Sequence, residues 1–149
     1  MQDKKDKIYI STLVIFWLIF AFFILNVSSM YGMYLIEPFI RFISIPSMVI
    51  LSILGIVLIV LASRAKFTKI SKAFFILTGA SALGMTISGV LHNLVFALLI
   101  KLFGEGFLAR MGDEPVFFIL ATIVCPLALL VGAICSIILI AKKKIIIKK

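Results

Sequence analysis

Few side chains in this sequence can do chemistry, and their spacing limits what that chemistry is. The single histidine, His92, stands beside Asn93 in the stretch SGVLHNLVFALL, residues 88–99. An unperturbed imidazole titrates near neutral pH and is a common metal ligand. The acids nearest to it in the presumed outer layer are Glu37, Glu105, Asp113 and Glu114, and their spacings follow no ligand pattern. Met30, Met33 and Met111 are scattered as packing residues are, so no metal and no cofactor is expected. The two cysteines, Cys125 and Cys135, are ten residues apart. On a helix that is about 15 Å along the axis, well beyond the ~7 Å a disulfide spans. They read as small packing residues, and there is no C-x-x-C. No nucleophile–base pair, phosphate loop, carboxylate pair or redox dithiol stands out, and the expectation is a protein that is not an enzyme.

The elements that must carry these residues are written in the composition. Of 149 residues, 64% are hydrophobic, 14% are charged and 14 are phenylalanine; the mean hydropathy is +1.30. A soluble domain carries charge on about a quarter of its residues. Four stretches hold no formal charge at neutral pH: 8–36, 42–63, 73–100 and 115–141. Each reaches the roughly 20 residues a helix needs to cross a bilayer core of about 30 Å. A chain in hydrocarbon must satisfy its own backbone groups, so the stretches should be helices. The fold expected is an all-α integral membrane protein, one domain over 1–149, with transmembrane helices at about 8–29, 38–62, 73–102 and 115–141 in a compact antiparallel bundle. The first stretch has the basic flank of a secretory signal (Lys4, Lys5, Lys7), and Val27 and Ser29 resemble cleavage-site residues. Its apolar run is longer than the ~7 to 15 residues of a signal core, so it reads as a retained span.

Charge distribution supplies the threading. Twelve of the 15 basic residues fall in three groups, Lys4 to Lys7, Arg64 to Lys72, and Lys142 to Lys149. With four spans, all three groups share one face, which the positive-inside bias makes cytoplasmic. The net charge of +9 then reflects topology and attraction to anionic headgroups rather than nucleic-acid binding. The membrane expected is the plasma membrane, with both termini inside.

Local signals refine the boundaries. Glu37-Pro38 and Asp113-Glu114-Pro115 read as helix starts, with an acid at the positive helix end and proline in the first turn. Arg41 is placed to pair with Glu37. Pro46 and Pro126 predict kinks in the second and fourth helices. The connection SRAKFTKISK, residues 63–72, predicts a short amphipathic turn carrying Phe67 and Ile70 on the headgroups, and Tyr31 and Tyr34 suit the interfacial belt. Asn26-Val27-Ser28 matches a glycosylation sequon at a helix end and reads as chance. The recurring acid-proline pattern suggests a loose parallel duplication of a helix pair.

Two stripes of small residues are expected to bring helices three and four together: Ala80, Gly84 and Ser88 on one, and Ala121, Cys125, Ala128, Gly132 and Ser136 on the other. Spacings of three and four keep each set on one face, and membrane helices gain most from close backbone approach. A homodimer seam is the alternative use of either stripe. His92 continues the first row, so it and Asn93 should face protein in the outer half, at the depth of Asn26 on helix one and near Thr122 on helix four. Intramembrane polar residues are functional candidates by default, and these four compose a candidate polar pocket. The expected role is a non-enzymatic helix-packing scaffold or accessory subunit, as a homo-oligomer or with a membrane-protein partner. The alternatives are a minimal transporter or channel built on His92 and Asn93, and an extracytoplasmic proton or metal sensor.

Overall fold

The structure, a computed structural model, describes residues 2–31, 37–104 and 115–142, with side chains described for 7–26, 46–104 and 115–142. Among the described residues every regular element is helical: α1 (Gln2–Tyr31), α2 (Glu37–Arg64), α3 (Lys69–Phe103) and α4 (Pro115–Ala141). All four contain spans long and apolar enough to cross a membrane. Expectations for Tyr34, Glu105, Met33, Met111, Asp113, Glu114 and the lysines after Lys142 lie outside the described residues, as do the side chains of Lys4, Lys5, Ser29, Met30, Tyr31, Glu37 and Arg41.

Helices α2 and α3 extend further toward each other than expected, and the connection between them is only residues 65–68. The reason is a capping device in T-K-I-S. Thr68 is extended at φ −61°, ψ 155°, and its Oγ1 accepts from the Ser71 N–H at 3.3 Å. That satisfies one of the orphan donors of a helix start. On the other side of the connection, the Lys72 ammonium donates to the Ser63 carbonyl at 2.8 Å, covering an exposed acceptor at the end of α2. Phe67 also packs inward. It is half-buried, with ring centroids 5.5 Å from Tyr9 and 4.9 Å from Phe75, and so it joins α1, the connection and α3. Only Ile70 keeps the exposed position expected of it. Gly104 ends α3 with φ +79°, a conformation that suits glycine, and its N–H bonds Ile100 O at 2.9 Å.

Helix α3 is the centre of the packing. It contacts α2 and α4 extensively and touches α1, while α1 rests mainly on α2. The α2–α3 seam is a backbone contact. A Cβ on Gly55 would stand 2.6 Å from Gly79 O, and one on Gly79 would stand 2.7 Å from Gly55 O. The α3–α4 seam is nearly as tight, since a Cβ on Gly132 would meet Thr78 Oγ1 at 2.6 Å and Phe74 O at 3.2 Å. One buried cluster joins the helices: Phe16, Ile19 and Phe23 of α1, Leu51 and Leu58 of α2, Phe75 of α3 and Leu129 of α4, all essentially solvent-free. Helices in lipid gain little by hiding apolar surface from one another, so close backbone approach carries the association.

The small-residue stripes are used unevenly. Gly84 faces Cys125, with a Cβ there 2.9 Å from Sγ, and Ser88, Gly132 and Ser136 are buried. Ala121, Cys125 and Ala128 are half-buried. Ala80 departs from its row and lies exposed, while its neighbour Gly79 takes the inward position against α2. The physical cause is that α3 has two partners on different sides, so no single row of every fourth residue can serve both.

The prolines also differ. Helix α2 continues as one α-helix through Pro46. Helix α4 instead forms a π-helical turn, Leu120–Val124, directly before Cys125-Pro126, and the Cys125 N–H reaches back to Leu120 O. A wider turn is one way a helix absorbs a residue that brings no N–H and crowds the preceding carbonyls. The two proline-bearing helices of the suggested duplication thus differ at their shared landmark.

Candidate functional site

The seams leave a cleft. Where α2 and α4 diverge over the face of α3, a space of about 450 Å³ opens, floored by Met85, Gly89 and Asn93. Met48 of α2 closes one side, and Ala121, Thr122 and Pro126 of α4 close the other. It runs from near the middle of α3 toward its Gly104 end; Met85 to Asn93 is about 12 Å of helix. Gly89 is unlike Gly55, Gly79 and Gly132, because a Cβ there would meet nothing within 4 Å. Among the described residues no helix contact requires the missing side chain, and its absence leaves room in the cleft.

The polar groups on the walls share a pattern. Thr86 Oγ1 donates across the seam to Met48 O at 3.1 Å, and Met48 O also accepts from Ser52 Oγ at 3.0 Å. Thr122 Oγ1 donates to Phe118 O at 2.7 Å, and Asn93 Nδ2 donates to Gly89 O at 2.8 Å. Each side chain has given a hydrogen to a backbone carbonyl and keeps oxygen lone pairs. The π turn adds another acceptor. The Cys125 N–H goes to Leu120 O and Pro126 has none, so the Ala121 carbonyl loses both donors that a helix would offer it.

The four residues expected to form one polar pocket are therefore separated. Asn93 and Thr122 line the same cleft. His92 turns toward α4 and packs its ring 5.5 Å from Phe118 and 6.4 Å, stacked, from Phe96. Its Nδ1 is out of solvent contact. Asn26 is buried at the α1–α2 seam, where Nδ2 donates to Phe22 O at 2.8 Å and Oδ1 accepts from Ser47 Oγ at 2.9 Å. Adjacent residues on a helix point about 100° apart, which divides His92 from Asn93. Sequence reading passed over Thr86, Met48 and Met85, and took Gly89 only as a small residue beside the packing stripe of helix three. The G-x-x-x-N spacing of Gly89 and Asn93, continued back to Met85, was the signal that could have marked the cleft floor. Among the described residues no group of three or more His, Cys, Asp or Glu side chains is placed to hold a metal ion.

No protein-family model matches this chain, and no similarity was found to curated proteins or to solved structures.

Proposed function

We propose that this is a non-catalytic membrane protein, a four-span antiparallel bundle with both termini and the 65–68 connection in the cytoplasm, acting as a helix-packing scaffold or accessory subunit. The plasma membrane is its proposed location. Threading rests on the lysine and arginine asymmetry, because translocating basic loops is disfavoured. The same basic groups would lie against anionic headgroups.

The observation that carries the scaffold reading is where the intramembrane hydroxyls send their hydrogens. Thr12 donates to Ile8 O, Thr78 to Phe74 O, Ser52 to Met48 O and Thr122 to Phe118 O, each four residues back on its own helix. Ser47 and Thr86 tie α2 to its neighbours. Four of these six hydrogens close bonds within their own helix and two join α2 to its neighbours, so none of the six is left for water or solute, and His92 packs against Phe96 and Phe118. A conduction path wants the opposite, polar groups that converge on water. Gentle solubilisation and affinity purification test the proposal: a stoichiometric membrane-protein partner or a discrete homo-oligomer is expected, and a monodisperse monomer without partner would reject it.

One observation favours a second reading, a minimal transporter or channel: the cleft that gathers Asn93 and Thr122 beside Thr86. In proteoliposomes that reading predicts solute flux that Asn93→Leu abolishes, and unaltered flux in the variant would dismiss it.

A further inference from the structure

The cleft has a composition that specifies an occupant. Its volume of about 450 Å³ falls in the range of small-molecule sites, which are mostly apolar with a few placed polar groups. Met48, Met85, Val49 and Val90 supply the apolar wall, and methionine adapts to irregular shapes. Helical glycine costs roughly 1 kcal/mol against alanine, yet Gly89 makes no close approach to any described residue. Room above its backbone is what the residue provides.

The polar groups narrow the chemistry. Thr86, Thr122 and the Ala121 carbonyl present acceptors, their own hydrogens being spent or absent. Asn93 differs, because after donating to Gly89 O it keeps both its Oδ1 acceptor and a second amide hydrogen. A hydroxyl, which has one hydrogen to donate and lone pairs to accept, matches that pair. A carboxylate would face a wall of acceptors, and an ammonium would find no charged partner among the described lining residues, while burying a charge between membrane helices costs several kcal/mol. An ester or ketone accepts only and would leave Asn93 Oδ1 unmet.

We propose that the α2–α3–α4 cleft binds a neutral lipid that bears a free hydroxyl, its chain along Met48, Met85 and Val90 and its hydroxyl on the Asn93 amide. The inference rests on the packing of the helices and not on the scaffold reading, so either can fail alone.

The experiment uses the full chain in phosphatidylcholine nanodiscs and two photoactivatable probes, a diazirine-bearing hexadecanol and the methyl ester of the corresponding acid. Saturable labelling by the alcohol is expected on peptides covering 85–93 and 121–126, about tenfold above the ester, the ratio of one well-made hydrogen bond. The Cβ of Gly89→Leu meets no described atom within 4 Å, so the variant should fold, extend its side chain into the cleft and lower alcohol labelling about tenfold. Asn93→Leu should remove the preference for alcohol over ester. Equal, non-saturating labelling by both probes means that bulk acyl chains fill the space and overturns the proposal, as does undiminished labelling of a folded Gly89→Leu. Should Gly89→Leu fail to fold, the alcohol-to-ester ratio in Asn93→Leu decides: a ratio unchanged from the native chain rejects the site.

Discussion

One substitution made at two glycines isolates what holds the helices together. Gly55→Ala puts a Cβ 2.6 Å from Gly79 O and 3.3 Å from Leu83 N, whereas Gly89→Ala puts one where nothing lies within 4 Å. Ordinary contact begins at 3.4 Å, so α2 and α3 must part by about 0.8 Å to admit the first methyl. Both changes gain the same helix propensity, about 1 kcal/mol over glycine. The difference between the variants therefore reports the steric term alone, about 1–3 kcal/mol for overpacking a tight contact. At roughly 2–4 °C per kcal/mol for a chain of this size, a middle value of ~2 kcal/mol separates the two midpoints by about 4–8 °C. The assay is the fraction remaining monodisperse by size exclusion after heating in mild detergent. Gly89→Ala should melt at or above the native protein and Gly55→Ala below it. Gly55→Ala with Gly79→Ala should cost less than the sum of the two, because one separation of the helices relieves both methyls. Equal midpoints for Gly55→Ala and Gly89→Ala would refute the backbone-contact account of the seam.

Other expectations follow from single contacts. Thr68→Ala removes the cap of α3 and should cost about 1 kcal/mol, read by the same heating assay, with Thr68→Ser recovering most of it. Ser47→Ala breaks the bond to Asn26 and should cost only ~0.6 kcal/mol, the average for such bonds between membrane helices; a loss several times larger would mean that Ser47 does more than join α1 to α2. His92→Ala deletes the ring against Phe96 and Phe118 and should cost about 1 kcal/mol, while His92→Phe keeps the ring and should hold stability. A folded His92→Phe protein that no longer assembles would instead assign the imidazole a role beyond packing.

The four helices were legible because a charge-free run of membrane length has few other fates in a protein of this composition. The short 65–68 connection was less so, since four basic residues at 64–72 look like a loop. Lysine stems can lie along a helix start while the charge finds a carbonyl, as Lys72 does with Ser63, and Thr68 three residues before Ser71 was the overlooked cue. The candidate site was only half legible. Periodicity on one helix placed Ser88 and Gly84 inward, but it cannot tell which of several neighbours a helix will meet. Gly55 and Gly79 lie 24 residues apart in the chain and announce their contact only when α2 and α3 are laid together. Likewise, Asn93 joins Thr122 across the cleft while His92, one position away, turns to Phe118. That division depends on where α4 sits over α3, which a single-helix pattern does not contain.

The threading of the chain through the bilayer is the claim on which the rest stands, and cysteine accessibility in intact cells measures it most directly. In a background with Cys125 and Cys135 replaced by alanine, single cysteines at Gln2→Cys, Lys66→Cys, Lys144→Cys and Glu105→Cys are exposed to a membrane-impermeant maleimide. The account predicts labelling of Glu105→Cys in intact cells, and labelling of the other three only after permeabilisation. Reaction of Gln2→Cys and Lys144→Cys from opposite sides of the membrane would contradict it.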